Sequence, residues 1–309
     1  MLALFAGRGR LPEALLAALE AEGRAVMVLS PWGTRAELAG RPARPARLEA
    51  LGSLLAELRE RGIADVCFAG GVARPALDPG AIDAATLPLV PRLREALGRG
   101  DDGALRMLAE IFEEAGLAVR SAQELVPDLL PPAGVLTRAV PEAADRADAA
   151  RGAEAVAALG AADLGQACVV AARQVLALEA APGTDWMLRS LTEPAPPETV
   201  RSESLGLFDP FDLAGSAADW LTGPGAPRRR RDPALPPGGL LYKAPKPGQD
   251  RRADLPAIGP STVRGAAEAG LRGIVIEAGG VLVLDRGETV RAADAAGLFL
   301  WVRPHGEAA

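Results

Sequence analysis

Histidine occurs once in the 309-residue chain, at His305, and cysteine twice, at Cys67 and Cys168. A single histidine close to the C-terminus argues against Ser-His-Asp and Cys-His catalysis and against a histidine-held zinc or iron centre. Two cysteines far apart in sequence make neither a disulfide framework nor a zinc-ligand spacing. Aromatic residues make up 4% of the chain, too few for base-stacking platforms. With a net charge of -6 and no basic face interleaved with aromatics, nothing points to nucleic acid. No run approaches about 18 uninterrupted apolar residues, so no transmembrane helix is expected. The apolar start Met1–Phe5 is followed at once by Arg8, Arg10 and Pro12, whereas a secretory signal carries its charges first. A cytoplasmic protein is expected. Without a redox cofactor, the remaining chemical tools are carboxylates, lysine, arginine and backbone amides. Carboxylate oxygens suit hard cations such as Mg²⁺ or Mn²⁺, whose usual partners are phosphates.

Lysine is as scarce as cysteine. Lys243 and Lys246 are the only two, in Tyr242-Lys243-Ala244-Pro245-Lys246-Pro247, which also holds the single tyrosine. Every other basic side chain apart from His305 is arginine. Lysine is a compact, strongly hydrated point charge with an adjustable pKa, while arginine is a planar, permanently charged fork. The pairing of two ammonium groups three residues apart, stiffened by prolines, marks a candidate site. Asp254 follows eight residues after Lys246.

Taken in order, the chain reads as α/β with two domains. Met1–Ala6 is a strand that opens into Gly7-Arg8-Gly9-Arg10 and a helix. That order starts a nucleotide-binding unit, but the turn has only Gly-x-Gly, and no acid ends the next strand to hold a ribose. It fits a phosphate cradle or a plain tight turn, and it argues against NAD. Asp65–Ala69 is a further strand that opens into Gly70-Gly71, where a backbone can approach a ligand closely, with Arg74 as a phosphate partner or a solvated loop residue. Asp101 and Asp102 precede a helix over 104–114, as a cap and dipole complement or as binding groups. Residues 1–130 make a Rossmann-like parallel-sheet domain and 131–141 a proline-rich linker. Residues 142–309 make a second α/β domain, with a cleft between the two. Within it, 167–171 and 174–179 are neighbouring strands. Glu179 then stands six residues before Asp185, as a cation-binding pair or as a strand end followed by a capped helix at Thr184 or Asp185. A long insertion at about 193–239 carries four consecutive arginines, Arg228–Arg231, read as a solvated charge run, or alternatively as a lid or a membrane-surface contact.

Together these motifs resemble the LpxI-type UDP-2,3-diacylglucosamine diphosphatases of lipid A biosynthesis. The resemblance rests on 6–12, 68–75, 100–102, Asp163-Leu164-Gly165-Gln166, Glu179, Gly183-Thr184-Asp185-Trp186-Met187, 243–247 and 254–259. Each piece is weak, but their order and spacing cover nearly the whole chain. Two departures stand out: the insertion is long, and Gly71 stands where asparagine is expected. The resemblance implies a metal-dependent hydrolase that splits the pyrophosphate of UDP-2,3-diacylglucosamine into UMP and 2,3-diacylglucosamine 1-phosphate. The first domain would bind UDP and the second would do the chemistry. It implies Asp254 as a catalytic group, and the residues themselves make Asp254 a metal ligand or general base, Lys243 and Lys246 catalytic groups that neutralise phosphate charge, and Glu179 and Asp185 the further ligands of Mg²⁺ or Mn²⁺. Gly7, Gly9, Gly70, Gly71, Arg74, Asp101, Asp102, Gln166 and Thr184 would bind substrate. It further implies peripheral contact with the cytoplasmic face of the inner membrane, and it is compatible with a homodimer. Two other readings stay open: a non-catalytic carrier of a nucleotide-sugar lipid, and a nucleotide-cofactor oxidoreductase.

Overall fold

A computed structural model of the chain describes residues 1–32, 34–72, 77–98, 101–194, 229–247 and 255–304. The N-terminal sheet contains β1 (Leu2–Ala6), β2 (Val26–Pro31), β3 (Arg44–Ala46), β4 (Asp65–Ala69) and β5 (Ala118–Val119). All its pairings are parallel, in the order β3-β2-β1-β4-β5. β1 is buried at every position, because a central parallel strand is covered on both faces and so reads as an unbroken apolar run. Helix α1 (Leu11–Ala21) buries Leu15, Leu16 and Leu19 in one core layer. Helix α2 (Leu51–Glu60) buries Leu51, Leu54, Leu55 and Leu58 in the other. The spacing of those leucines at three and four residues gives each helix a single apolar stripe. Helices α3 (Val90–Gly98) and α4 (Asp101–Glu114) pack together beside this sheet. α4 begins at Asp101, three residues earlier than expected, so both aspartates lie in its first turn, where the helix dipole favours acids.

The C-terminal sheet is mixed. Its strands are β6 (Gly134–Val135), β7 (Ala167–Ala171), β8 (Gln174–Leu178), β9 (Leu240–Lys243), β10 (Gly273–Glu277) and β11 (Phe299–Arg303), in the order β8-β7-β9-β10-β11-β6. β9, β10 and β11 are parallel, and β7, β8 and β6 add antiparallel edges. β6 comes from the proline-rich stretch between the domains, so that stretch closes one edge of the second sheet. Helix α5 (Ala143–Ala161) covers one face with Ala149 and Val156, against Cys168, Leu240, Tyr242 and Trp301. α6 (Thr184–Ser190) and α7 (Pro260–Glu268) cover the other face, and α8 (Arg286–Ala295) crosses over between β10 and β11. Among the described residues no helix is long and apolar enough to cross a membrane.

Strands flank Gly279-Gly280 at Gly273–Glu277 and Leu282–Val283, and they belong to different sheets. Leu282–Val283 pairs, in parallel, with Ala257–Ile258. This small ribbon carries Leu255, Leu282 and Leu284 into the core layer of α1, which joins the two halves of the chain through apolar contact. Part of the arginine run is not solvated. Arg229–Arg231 pairs with Thr192–Pro194, Arg230 meets Glu193 at 2.8 Å, and Arg231 donates to the carbonyls of Ala269, at 2.7 Å, and Pro236. Those bonds make Arg231 a side-chain cap for the end of α7.

Candidate active site

β9 places its side chains alternately. Leu240 and Tyr242 point toward α5, while Leu241 packs with Met187 and Leu188 of α6. Lys243 follows the Leu241 face and reaches α6. Its residue exposure is 5%, so its charge needs partners. The ammonium donates to Thr184 Oγ1 at 2.7 Å and lies 3.7 Å from Glu179 Oε1. Thr184 donates to that same oxygen, and the Gln166 backbone N–H donates to Glu179 Oε2 at 3.0 Å. Glu179 is itself 6% exposed and sits one residue past β8, with its N–H on Ala167 O. Gly165 makes this approach feasible, because a Cβ there would lie 2.2 Å from Glu179 O. The helix cap expected of Thr184 is absent: Gly183 is the N-cap, and the hydroxyl serves the lysine and glutamate instead.

Lys246 lies on the proline-stiffened loop beyond β9 and pairs with Asp163 at 2.7 Å. Asp163 appeared in the sequence only as part of a motif, and its role as lysine partner was not legible there. The loop is seated by two glycines. A Cβ at Gly160 would meet Pro247 Cδ at 2.6 Å, and one at Gly280 would meet Pro245 Cδ at 2.6 Å. Ala244 N donates to Gln166 O at 3.1 Å. Gln166 therefore touches Glu179 on one side and the bridge between the two lysines on the other.

Tyr242 points away from this group. Burial pushes its phenol above the usual tyrosine range, and Glu277 adds to the rise, while a hydrogen bond from Arg303 opposes it. The phenol is a neutral anchor on the α5 side. Burial likewise pushes Cys67 and Cys168 up to about 12, so neither offers a thiolate at neutral pH.

The N-terminal glycines divide into two kinds. Gly7 and Gly70 serve the crossing of the loops after β1 and β4, the two strands at which the sheet order reverses. A Cβ at Gly7 would lie 2.7 Å from Gly70 O, and one at Gly70 would lie 2.2 Å from Arg8 O. Arg8 and Gly71 bond each other in both directions, at 2.7 and 3.1 Å. Gly9 and Gly71 border open space. The carboxyl ends of parallel strands at such a reversal of order are where open α/β sheets bind ligands. Sequence reasoning missed Arg35, whose guanidinium reaches Gly9 O at 3.3 Å and Glu13 at 3.5 Å. Arg10, on the same turn, meets Asp285 of the second domain at 2.8 Å. Arg74 and Asp254 lie outside the described residues, as do the side chains of Asp101 and Asp102.

Glu179 and Asp185, expected as cation ligands, stand in different settings. Both oxygens of Glu179 accept hydrogen bonds from protein donors, and an ammonium already faces it. Asp185 is exposed in the first turn of α6. Among the described residues no three His, Cys, Asp or Glu side chains gather to hold a metal ion.

Comparison with known proteins covers almost the full length. The model of the LpxI N-terminal domain matches residues 1–129, and that of the LpxI C-terminal domain matches 132–205 and 226–301. The UDP-2,3-diacylglucosamine pyrophosphatase LpxI of Caulobacter vibrioides is 36% identical over 300 residues, covering 97% of this chain and 96% of that one.

Proposed function

The chain belongs to the LpxI family, and from that premise we propose that it hydrolyses the pyrophosphate of UDP-2,3-diacylglucosamine in lipid A biosynthesis. The products are UMP and 2,3-diacylglucosamine 1-phosphate. The observation that supports this reading is the gathering of Asp163, Gln166, Glu179, Thr184, Lys243 and Lys246 from separate stretches to the carboxyl end of β9. Splitting a pyrophosphate requires neutralised charge on the phosphoryl oxygens and a positioned water. Two ammonium groups beside an accessible strand end are the chain's means of doing the first.

In this reading Lys246 is the more available donor. Its partner Asp163 is a half-exposed carboxylate that a phosphoryl oxygen replaces. Lys243, held by Thr184 and Glu179, presents a fixed positive charge behind it. Asp254 takes the proton of the attacking water or holds a cation. Mg²⁺ or Mn²⁺ would supply Lewis-acid polarisation of the phosphoryl group, and Asp254 is the residue left to hold it. The open space beside Gly9 and Gly71 takes the UDP part. The acyl chains place the enzyme peripherally at the cytoplasmic face of the inner membrane.

The test is hydrolysis of UDP-2,3-diacylglucosamine by the purified protein with Mg²⁺, with Mn²⁺, with EDTA, and as Asp254→Ala. UMP release that depends on the cation and vanishes in the variant supports the assignment. Substrate binding with no UMP under any divalent cation would leave a carrier.

A further inference from the structure

Among the described residues only two buried side-chain polar atoms lack a hydrogen-bond partner: Gln166 Oε1 and Arg231 Nε. Arg231 has both terminal nitrogens bonded, so its remaining N–H is a minor omission. Gln166 is different. Its backbone N–H and C=O are both engaged, on Glu179 and Ala244, and its side-chain carbonyl is held out of water facing no donor. Native structures rarely leave such an atom unmatched unless a ligand or water completes it.

The chemistry of that atom limits what completes it. A carbonyl oxygen only accepts, and the oxygens of an ionised pyrophosphate also only accept. The group that Gln166 awaits is therefore a donor, either a hydroxyl or an amide N–H. Gln166 lies in the C-terminal domain beside Lys243 and Ala244. Resting on the substrate proposed above, we infer that Gln166 Oε1 accepts a hydrogen bond from the acylated glucosamine, through a free sugar hydroxyl or the amide N–H. It thereby selects the sugar half of the substrate while the lysines take the phosphates.

The experiment compares full-length wild type, Gln166→Leu and Gln166→Glu. Steady-state hydrolysis of UDP-2,3-diacylglucosamine is measured together with calorimetric binding of 2,3-diacylglucosamine 1-phosphate and of UDP. A site built to hydrogen-bond a substrate group loses most when the group is left unpaired. Gln166→Leu should weaken binding of 2,3-diacylglucosamine 1-phosphate about tenfold, roughly the effect of one lost hydrogen bond, and leave UDP binding as in wild type. Gln166→Glu keeps the acceptor and should lose less than Gln166→Leu. Two results would overturn the inference: unchanged binding of 2,3-diacylglucosamine 1-phosphate in both variants, or a larger loss in Gln166→Glu with UDP also weakened. The second outcome would mean that the side chain faces a phosphate through its NH₂ group. A wild type that binds the sugar phosphate but hydrolyses nothing would fail the proposed reaction alone, because the binding comparison still decides the role of Gln166.

Discussion

The Lys243 ammonium donates to the Thr184 hydroxyl at 2.7 Å across 59 positions of sequence, and the Thr184 hydroxyl in turn donates a hydrogen bond to Glu179. Thr184→Val keeps the shape and deletes the link. The buried lysine is then left with Glu179 at 3.7 Å. Thr184→Val should cost about 1–3 kcal/mol, read by urea titration, and lower hydrolysis at least tenfold. Lys243→Arg should not rescue activity in any background, because a planar fork does not replace a point charge in a slot this enclosed. Turnover by Lys243→Arg close to wild type would refute that role.

The glycines of the N-terminal loops give a paired test. Gly70 has φ +81° and a Cβ there would lie 2.2 Å from Arg8 O, so Gly70→Ala should destabilise by about 1–3 kcal/mol. Gly71 borders open space, and Gly71→Asn should fall within about 0.5 kcal/mol of wild type. Thermal unfolding of the two variants side by side checks the contrast.

Alkaline pH should loosen the fold through the two thiols. Burial raises Cys67 and Cys168 to about 12 in the folded state, against about 8.5 in an unfolded chain. The folded values are the higher ones, so their contribution is complete below about pH 8.5 and declines as pH rises toward 12. Above that onset each thiol should remove up to about 1.4 kcal/mol per pH unit. Denaturant titrations between about pH 8 and pH 10 should show the slope, and the Cys67→Ala/Cys168→Ala double variant should lose it.

Two neighbouring arginines should differ sharply. Arg231→Ala removes both bonds to Ala269 and Pro236 carbonyls near the end of α7 and should cost about 1–3 kcal/mol. Arg230 is about half exposed in its pair with Glu193, and Arg230→Ala should cost at most about 1 kcal/mol. Equal losses would contradict the capping role.

Periodicity carried most of the elements. The leucine stripes of α1 and α2, the apolar run of β1 and the strand pair 167–178 were legible because burial of one face leaves a repeat in the sequence. Short strands such as Arg44–Ala46 and Ala118–Val119 leave no such repeat and were missed. The strand at Leu282–Val283 was legible, but its partner Ala257–Ile258 was not, because strand pairing is a non-local property. The lysine pair was visible as a compositional oddity. What holds it was not: Asp163 reads as an ordinary loop acid, and the reason Gly160, Gly165 and Gly280 lack side chains lies in residues distant in sequence. The cap expected of Thr184 failed for a related reason. Local rules assign a threonine at a helix start to the backbone, and here a buried lysine and glutamate compete for it and win.

Thr192–Pro194 and Arg229–Arg231 lie hydrogen-bonded side by side, with Pro194 opposite Arg229. Whatever occupies 195–228, its two ends are already closed by the fold. For a flexible connection between two paired strands, the entropy of closure grows only with the logarithm of its length. The LpxI C-terminal match skips residues 206–225, which fall inside this interval. The ribbon therefore acts as a splice point, where chain can be gained or shed while β7 and β9, with Lys243 at its end, keep their register.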